Sequence, residues 1–387
     1  MQRIYLDSNA TTSVLPEVVE AMSSFWQENF GNPSSAHHCG QRTRSAIERA
    51  RSAVAALLNA QAKEIVFTSG GTESDNLALV GVLQPYLDRG EPAHLITSAI
   101  EHHAVLNAAQ SLEKRGIEVT YLRSTPDGVI DPSALEAALR PHTRLVSIML
   151  ANNETGAIQP IAKLARIAKA HSSNPLFHTD AVQGAGKLRL DLSGELKDVD
   201  LLSISGHKMY APQGTGVLFV RDGVKLTPLF YGGPHERQRR AGTENVPGIV
   251  ALGCAADHAR EWLATSDHSL AALRDRLESG LLAAIHGTTV NAATAHRVVN
   301  TTNLRFAGVN AEALIIALDM KGISASYGSA CQSGATDSSH VLNALGLTEA
   351  EARSSVRLSL SRLTTSEEID RTLEIIPATV AHLRSLQ

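Results

Sequence analysis

Short apolar runs and longer stretches of helical periodicity alternate along the first two thirds of the chain. The apolar runs have the length of buried strands, and each is followed by a turn of small or polar residues. The predicted strands are 4–6, 64–68, 94–98, 119–122, 145–150, 176–179, 199–205 and 217–220, and the predicted helices are 17–28, 40–58, a helix from Asn76, 105–114, 132–139 and 161–171. This alternation predicts an α/β fold with a mainly parallel central sheet and helices on both faces.

The pattern changes after about residue 247. Two long helical stretches, 247–264 and 269–285, come first, and a mixture of strands and helices follows them. The predicted strands there are 301–306 and 353–359, and the predicted helices are 311–321, 341–345 and 366–386. We therefore predict a large domain over 16–258, and a smaller α+β domain made of 1–15 together with 259–387.

Composition narrows the class of protein. The 387 residues are 43% hydrophobic and 19% charged, with a formal net charge of -4, which is ordinary for a globular protein and favours neither nucleic acid nor an anionic membrane. Three cysteines without paired spacing argue against a disulfide framework. Asp7 interrupts any signal-peptide core, and no apolar stretch is long enough to span a membrane. We expect a cytoplasmic protein.

Polar residues follow five of the predicted strands. Because the carboxyl ends of parallel strands meet at one edge of a sheet, these residues predict a single ligand site. They are Ser69 to Thr72, Glu101 with His102, Asn152 with Asn153, Asp180, and Ser205 to Lys208.

Lys208 ends the apolar run 199–205 and is followed by the turn-rich stretch 211–216. Burial disfavours the charged amine, and an amine that is partly neutral at pH 7 forms Schiff bases readily. A solvated lysine leaving a strand is the alternative. The turn from Ser69 to Ser74 is likewise either an anion site at a helix N-terminus or a plain strand-to-helix turn.

A lysine that forms a Schiff base needs a carbonyl cofactor, usually pyridoxal phosphate. The chain offers a partner for each part of that cofactor. Candidates are Gly71, Thr72, Ser205 and His207 for the phosphate, Asp180 for the pyridine nitrogen, Gln183 and Asn153 for the phenolic oxygen, and His102 for the ring face. The alternative for Asp180 is a strand-end cap, and the alternative for His102 is a surface or core histidine. The adjacent residues 37–39 and 101–103 do not have the spacing of metal ligands, so no metal site is predicted.

Seven motifs in the same order along nearly the whole chain resemble those of the cysteine desulfurases. These are NifS/IscS-like enzymes in the class V aminotransferase group of fold type I pyridoxal-phosphate enzymes. The motifs are YLDSNATT, SGGTESDN, ANNETG, HTDAVQGAGK, SGHKMYAPQGTG, RAGTEN and GSAC. The resemblance implies a homodimer that converts L-cysteine to L-alanine and carries the sulfur as a persulfide to an acceptor protein.

The resemblance also implies roles for individual residues. Lys208 is the Schiff-base lysine, and His102 stacks on the ring and moves protons. Thr243 reaches the phosphate of the neighbouring subunit. Arg357 clamps the substrate carboxylate, helped by Asn32, and Cys331 is the nucleophile that receives the sulfur. A guanidinium group suits a carboxylate because it can donate two parallel hydrogen bonds.

Three departures from the family pattern concern the surroundings of the nucleophile. Tyr327 and Gln332 replace smaller residues near Cys331, and Pro234 interrupts a run that is usually richer in glycine. A selenocysteine lyase or another class V enzyme is the alternative activity, and a non-catalytic sulfur carrier is the alternative class of protein. The sequence does not identify the sulfur acceptor.

Overall fold

The computed structural model describes residues 3–265, 269–327 and 338–386, so that Cys331 and Gln332 lie outside the described residues. The strands are β1 Ile4–Tyr5, β2 Ile65–Thr68, β3 His94–Ser98, β4 Glu118–Leu122, β5 Thr143–Ser147, β6 Leu176–Asp180, β7 Leu201–Ser205, β8 Gly216–Val220, β9 Thr288–Val290, β10 Thr301–Phe306, β11 Ile323–Ser324 and β12 Ser355–Ser359. The helices are α1 Pro16–Gln27, α2 His38–Leu57, α3 Gly71–Arg89, α4 His103–Lys114, α5 Pro132–Ala138, α6 Ile161–Ala170, α7 Val246–Ala264, α8 Ser269–Ala284, α9 Ala311–Met320, α10 His340–Ala344, α11 Glu349–Ala352 and α12 Ser366–Ser385.

Seven strands form the central sheet, in the order β2-β8-β7-β6-β5-β3-β4. The pairs from β7 through β6, β5 and β3 to β4 are parallel, and β8 is antiparallel to both of its neighbours. The predicted mainly parallel α/β sheet is confirmed. The parallel strands bring their carboxyl ends to one edge of the sheet, where ligands bind in such folds.

Helices cover both faces of this sheet because its strands are apolar on both sides. On β7, Leu202 packs into a core shared with α2 and α7, whereas Leu201 packs into a second core with α3 and α4. Both residues are fully buried. The polar groups at the strand ends therefore project from a rigid, doubly covered sheet.

A third core lies between the antiparallel strands β9-β10-β12 and the helices α8, α9 and α12. Ile4 of β1 belongs to it, because β1 pairs with β11 in parallel register. Val341 of α10 packs instead into the core of α2 and α7, although it falls in the predicted small domain. The division into 16–258 and the remainder stays a prediction.

The start of α3 differs from the sequence-based expectation. The helix begins at Gly71, five residues before the predicted start at Asn76. The apolar periodicity begins only after the polar first turn, and a first turn containing Thr72 and Glu73 is favourable because acidic and small polar residues interact well with free backbone N–H groups. The short elements β9, β11 and α11 were not predicted because they span too few residues to show a periodic pattern.

None of the helices in the three described ranges is both long enough and apolar enough to cross a membrane.

Candidate active site

A cavity of about 400 Å³ opens at the carboxyl edge of the central sheet. It is bordered by the N-terminus of α3 and by residues after β2, β3, β5, β6 and β7. Ten predicted site residues line it: Gly71, Thr72, His102, Asn153, Asp180, Gln183, Ser205, His207, Lys208 and Arg357. The structure therefore brings the five predicted strand ends to one cavity, although Glu101, Asn152 and Gly206 are buried and are not among its described lining residues.

Lys208 ends a 3₁₀ turn, Gly206–Lys208, that directly follows β7. Its side chain is half-buried, and its Nζ donates hydrogen bonds to the backbone carbonyls of Asn9 (2.7 Å) and Ala10 (2.5 Å). These acceptors belong to the polar segment after β1. The amine is thus held at the cavity wall, where it can meet a carbonyl ligand.

Asp180 is the last residue of β6 and is 6% exposed. Burial raises the pKa of its carboxyl group to about 6, against the opposing influence of the Val182 N–H, which donates to Oδ1 at 2.8 Å, and of Lys208. A buried carboxylate favours a cationic partner, because an unpaired charge in such a place is costly. A protonated ring nitrogen would be such a partner.

His102 forms the N-cap of α4, and its Nδ1 accepts a hydrogen bond from the Ala104 N–H at 3.1 Å. This contact leaves the ring proton on Nε2. Burial lowers the pKa of His102 to about 4, with smaller contributions from Lys208, His103 and His340. The imidazole is therefore neutral at physiological pH, the state from which it can exchange a proton.

The N-terminus of α3 lacks a side-chain cap at Gly70, so its first backbone N–H groups face the cavity edge. At two glycines near this turn, neighbouring atoms pack so closely that a side chain would not fit. A Cβ on Gly71 would lie 2.7 Å from Val182 Cγ2, and a Cβ on Gly216 of β8 would lie 2.6 Å from the Gly70 backbone. Ser205 and His207 border the same end, and His207 Nδ1 lies 3.1 Å from Thr11 Oγ1. This arrangement suits a phosphate.

Gln183 and Asn153 place amide groups in the cavity wall. Gln183 Nε2 donates to the Asn9 carbonyl at 3.0 Å. Asn153 Oδ1 is buried without a hydrogen-bond partner among the residues that the structure describes. An amide left unpaired beside a cavity indicates that a ligand completes its hydrogen bonding.

Arg357 reaches the cavity from β12 and is 2% exposed. Its Nη2 donates to Asp7 Oδ1 at 2.6 Å and its Nη1 to the Asn153 carbonyl at 2.9 Å. Within the described ranges its Nε has no partner. The guanidinium group is thus fixed in place by Asp7, a residue to which the sequence analysis gave no role.

Two predicted residues are not brought into this cavity. Thr243 and Asn32 are exposed and are not among its described lining residues, and Asn32 Oδ1 accepts instead from the Ser34 N–H at 2.9 Å. Cys331 lies outside the described residues. No group of three potential metal ligands occurs in the part of the chain that the structure describes.

Sequence reasoning missed Asn9 and Glu73, which also line the cavity. Asn9 belongs to the motif YLDSNATT, and this motif was the available signal. Glu73 lies in the first turn of α3, accepts from the Ser69 N–H at 2.8 Å and pairs with Arg240 at 2.9 Å.

Comparisons with known proteins agree with this geometry. The model of the aminotransferase class-V family matches residues 4–372. The cysteine desulfurase IscS of Methanosarcina thermophila is 48% identical over 383 residues, which cover 99% of this chain and 93% of that protein. Cysteine desulfurase 2 of Trichormus variabilis is also 48% identical, over 100% of this chain and 95% of its own.

A solved NifS-like protein superimposes with a TM-score of 0.92 at 37% identity, covering 99% of this chain and all of that one. The structure of SspA in complex with cysteine gives a TM-score of 0.81 at 38% identity, over 92% of this chain and 98% of the other. The chain belongs to the aminotransferase class-V family, in the group whose curated members are named cysteine desulfurases.

Proposed function

We propose that this protein is a pyridoxal-phosphate-dependent cysteine desulfurase that converts L-cysteine to L-alanine and takes up the sulfur on Cys331. One observation carries the proposal: Lys208, Asp180 and His102, from the ends of three different strands, line one cavity beside the N-terminus of α3. An amine, a buried carboxylate and a neutral imidazole in one cavity are the groups that this cofactor needs. The curated relatives support the choice of L-cysteine as substrate.

The residues present fit the cofactor. Lys208 would bond its carbonyl carbon, and Asp180 would pair with its ring nitrogen. The uncapped turn at Gly71 and Thr72, with Ser205 and His207, would hold the phosphate. Gln183 and Asn153 would donate to the phenolic oxygen from their amide NH₂ groups. When bound, the cofactor supplies an electron sink for bonds broken at the substrate Cα and Cβ.

The chain's own residues then orient the substrate and move protons. Arg357, held by Asp7 and the Asn153 carbonyl, would bind the substrate carboxylate, with Asn32 contributing at the same end. His102 would stack on the cofactor ring and would hold a proton at Nε2 that can be donated in a hydrogen bond, since its low pKa keeps the ring neutral.

Sulfur transfer requires a nucleophile that none of these residues provides. The Cys331 thiolate would attack the substrate sulfur and form a sulfur–sulfur bond as the carbon–sulfur bond breaks. The electron pair of the broken bond stays with the substrate carbon, which takes a proton to become alanine. The sulfur is oxidised and the carbon reduced, so no external oxidant is needed. A second thiol, on an acceptor protein, would then take the persulfide sulfur.

Quaternary structure and location belong to the same proposal. In a homodimer, the exposed Thr243 would reach the phosphate site of the partner subunit. The odd, sparse cysteine count favours the cytoplasm, where thiols stay reduced.

The test is alanine and sulfide release from L-cysteine by the wild type, Cys331→Ala and Cys39→Ala. Cys39 is the matched control because it is an exposed cysteine outside the cavity lining. We expect Cys331→Ala to bind the cofactor, seen as the visible absorbance of the yellow protein, and to lose desulfuration. Cys39→Ala should behave as the wild type does.

Normal turnover by Cys331→Ala would contradict the persulfide mechanism. A wild type that stays colourless after incubation with pyridoxal phosphate would contradict the proposed enzyme class. Release of selenide but not sulfide would assign the protein to the selenocysteine lyases.

A further inference from the structure

Lys187 is a second lysine near the cavity and has no role in the chemistry described above. It follows β6 by seven residues and is partly buried. Its Nζ donates to Gln183 Oε1 at 2.7 Å and to Asn9 Oδ1 at 3.2 Å. Both acceptors belong to residues that line the cavity.

The contact with Gln183 determines which way the Gln183 amide points. The Lys187 amine donates to the amide oxygen, so that oxygen faces Lys187. The amide NH₂ group is then turned to the other side, where it donates to the Asn9 carbonyl at 3.0 Å. In the opposite orientation, the amide oxygen would face the Asn9 carbonyl, and two acceptors would meet in a buried place, which is costly.

Asn9 connects the same lysine to the rest of the site. Its side-chain oxygen accepts from Lys187, and its Nδ2 donates to the Asn153 carbonyl at 3.1 Å. Its backbone carbonyl accepts from both Gln183 and Lys208. Lys187 therefore contacts Gln183 and also Asn9, whose backbone carbonyl accepts from the Lys208 amine.

The charged groups acting on Lys187 are all cations. Burial lowers its pKa well below the usual value, and Lys208, Arg357 and Arg362 lower it further. A lysine in such surroundings contributes little as an ion-pair partner. Lys187 therefore contributes to the structure through its hydrogen bonds to the amide oxygens of Gln183 and Asn9.

We propose that Lys187 is a positioning residue that holds the Gln183 amide with its NH₂ group facing the phenolic oxygen of the cofactor. This inference rests on the proposed function, since it requires pyridoxal phosphate in the cavity. A donor of fixed orientation binds its acceptor more tightly than one that must first reorient.

A double-mutant cycle tests this role. Lys187→Met keeps the length of the side chain and removes the donor, and Gln183→Ala removes the group that Lys187 positions. The readouts are the affinity of the cofactor-free protein for pyridoxal phosphate and the wavelength of the visible absorption band. We expect Lys187→Met to weaken binding about tenfold and to shift the band. In the Gln183→Ala background, Lys187→Met should change neither readout further.

Lys169→Met is the control, because Lys169 of α6 is paired with Asp200 at 2.5 Å and is not among the described lining residues. It should leave both readouts unchanged. If Lys187→Met does not fold, judged by circular dichroism and thermal unfolding, Lys187→Gln replaces it in the same cycle.

Equal effects of the Lys187 variant in the two backgrounds would overturn the inference, since they indicate a general structural role. A Lys187 variant that matches the wild type while Gln183→Ala shifts the band would overturn it too, and would leave the proposed function intact. A wild type that binds no pyridoxal phosphate would contradict both this inference and the proposed function.

Discussion

Burial shifts the pKa of three groups in or beside the cavity. The pKa of Asp180 is raised to about 6, that of Glu101 is raised to about 8, and that of His102 is lowered to about 4. At pH 7 Asp180 is therefore mostly ionised, Glu101 is mostly protonated and His102 is neutral. The Asp180 carboxylate is then available to a protonated ring nitrogen.

The pKa of Asp180 predicts how cofactor binding depends on pH. Below about pH 6 the carboxyl group of the cofactor-free protein is protonated, and this proton must leave before the ion pair with the ring nitrogen forms. Affinity for pyridoxal phosphate should therefore fall as the pH falls, by about tenfold at pH 5 relative to pH 7.5. His102 and His207, both with pKa of about 4, stay mostly neutral over this range. Reconstitution titrations followed by absorbance give the affinities.

Asp180→Asn provides the comparison, because an amide of the same shape does not titrate. The affinity of this variant for pyridoxal phosphate should be lower than that of the wild type at every pH. It should not show the fall in affinity that is centred near pH 6 in the wild type. An equal fall in affinity for the wild type and Asp180→Asn would assign the pH dependence to another group.

At the scale of elements, the phosphate end of the cavity depends on how closely β8 approaches the turn before α3. Gly216 of β8 lies against Gly70 so closely that a Cβ would come within 2.6 Å of the Gly70 backbone. Gly216→Ala should therefore displace the N-terminus of α3 and weaken cofactor binding about tenfold or more. Equilibrium titration with pyridoxal phosphate measures the effect.

Gly253→Ala is the matched control, since its Cβ would lie 2.6 Å from Ala50 at the contact between α7 and α2. This variant should lower the melting temperature but retain normal cofactor affinity. If both variants weaken cofactor binding equally, general destabilisation explains the effect.

The sequence predicted the elements of the site better than the contacts between them. The strand ends at Asp180 and Lys208 were found because each closes an apolar run. The start of α3 was misplaced because its first turn is polar. Asn9 was missed, although its motif was quoted, because its hydrogen bonds to Gln183, Lys187 and Lys208 cross 174 to 199 residues of chain. Lys187 was missed because the sequence does not show that it bonds both Asn9 and Gln183.

At the scale of the whole molecule, the cavity joins two packed units. Most of its lining comes from the central sheet, but Arg357 comes from β12, which packs in the third core. Asp7, which follows β1, bonds Arg357, and Asn9 bonds Thr301 at 2.9 Å as well as Gln183. The segment after β1 thus ties the third core to the cofactor site.

Glu101 should make the stability of the whole protein depend on pH. Its pKa in the folded protein is about 8, above its usual value of 4.5, so folding retains a proton that the unfolded chain releases. The free energy of unfolding of the cofactor-free protein should therefore decrease as the pH rises through 8, by about 1 kcal/mol between pH 7 and pH 8. Urea unfolding at the two pH values measures it.

In Glu101→Gln this component should be absent, because the amide keeps a hydrogen-bonding group of the same shape without a titrating proton. A decrease of the same size in Glu101→Gln would exclude Glu101 as its source.

Transfer of sulfur to Cys331 is tested most directly by mass spectrometry of the protein after one turnover. The cofactor-loaded enzyme is mixed with L-cysteine without reductant or acceptor, digested and analysed peptide by peptide, and alanine is measured in the same sample. We predict one added sulfur atom on the peptide that contains Cys331, none on those with Cys39 or Cys254, and one alanine per sulfur bound. Alanine formed without sulfur on Cys331 would contradict the account.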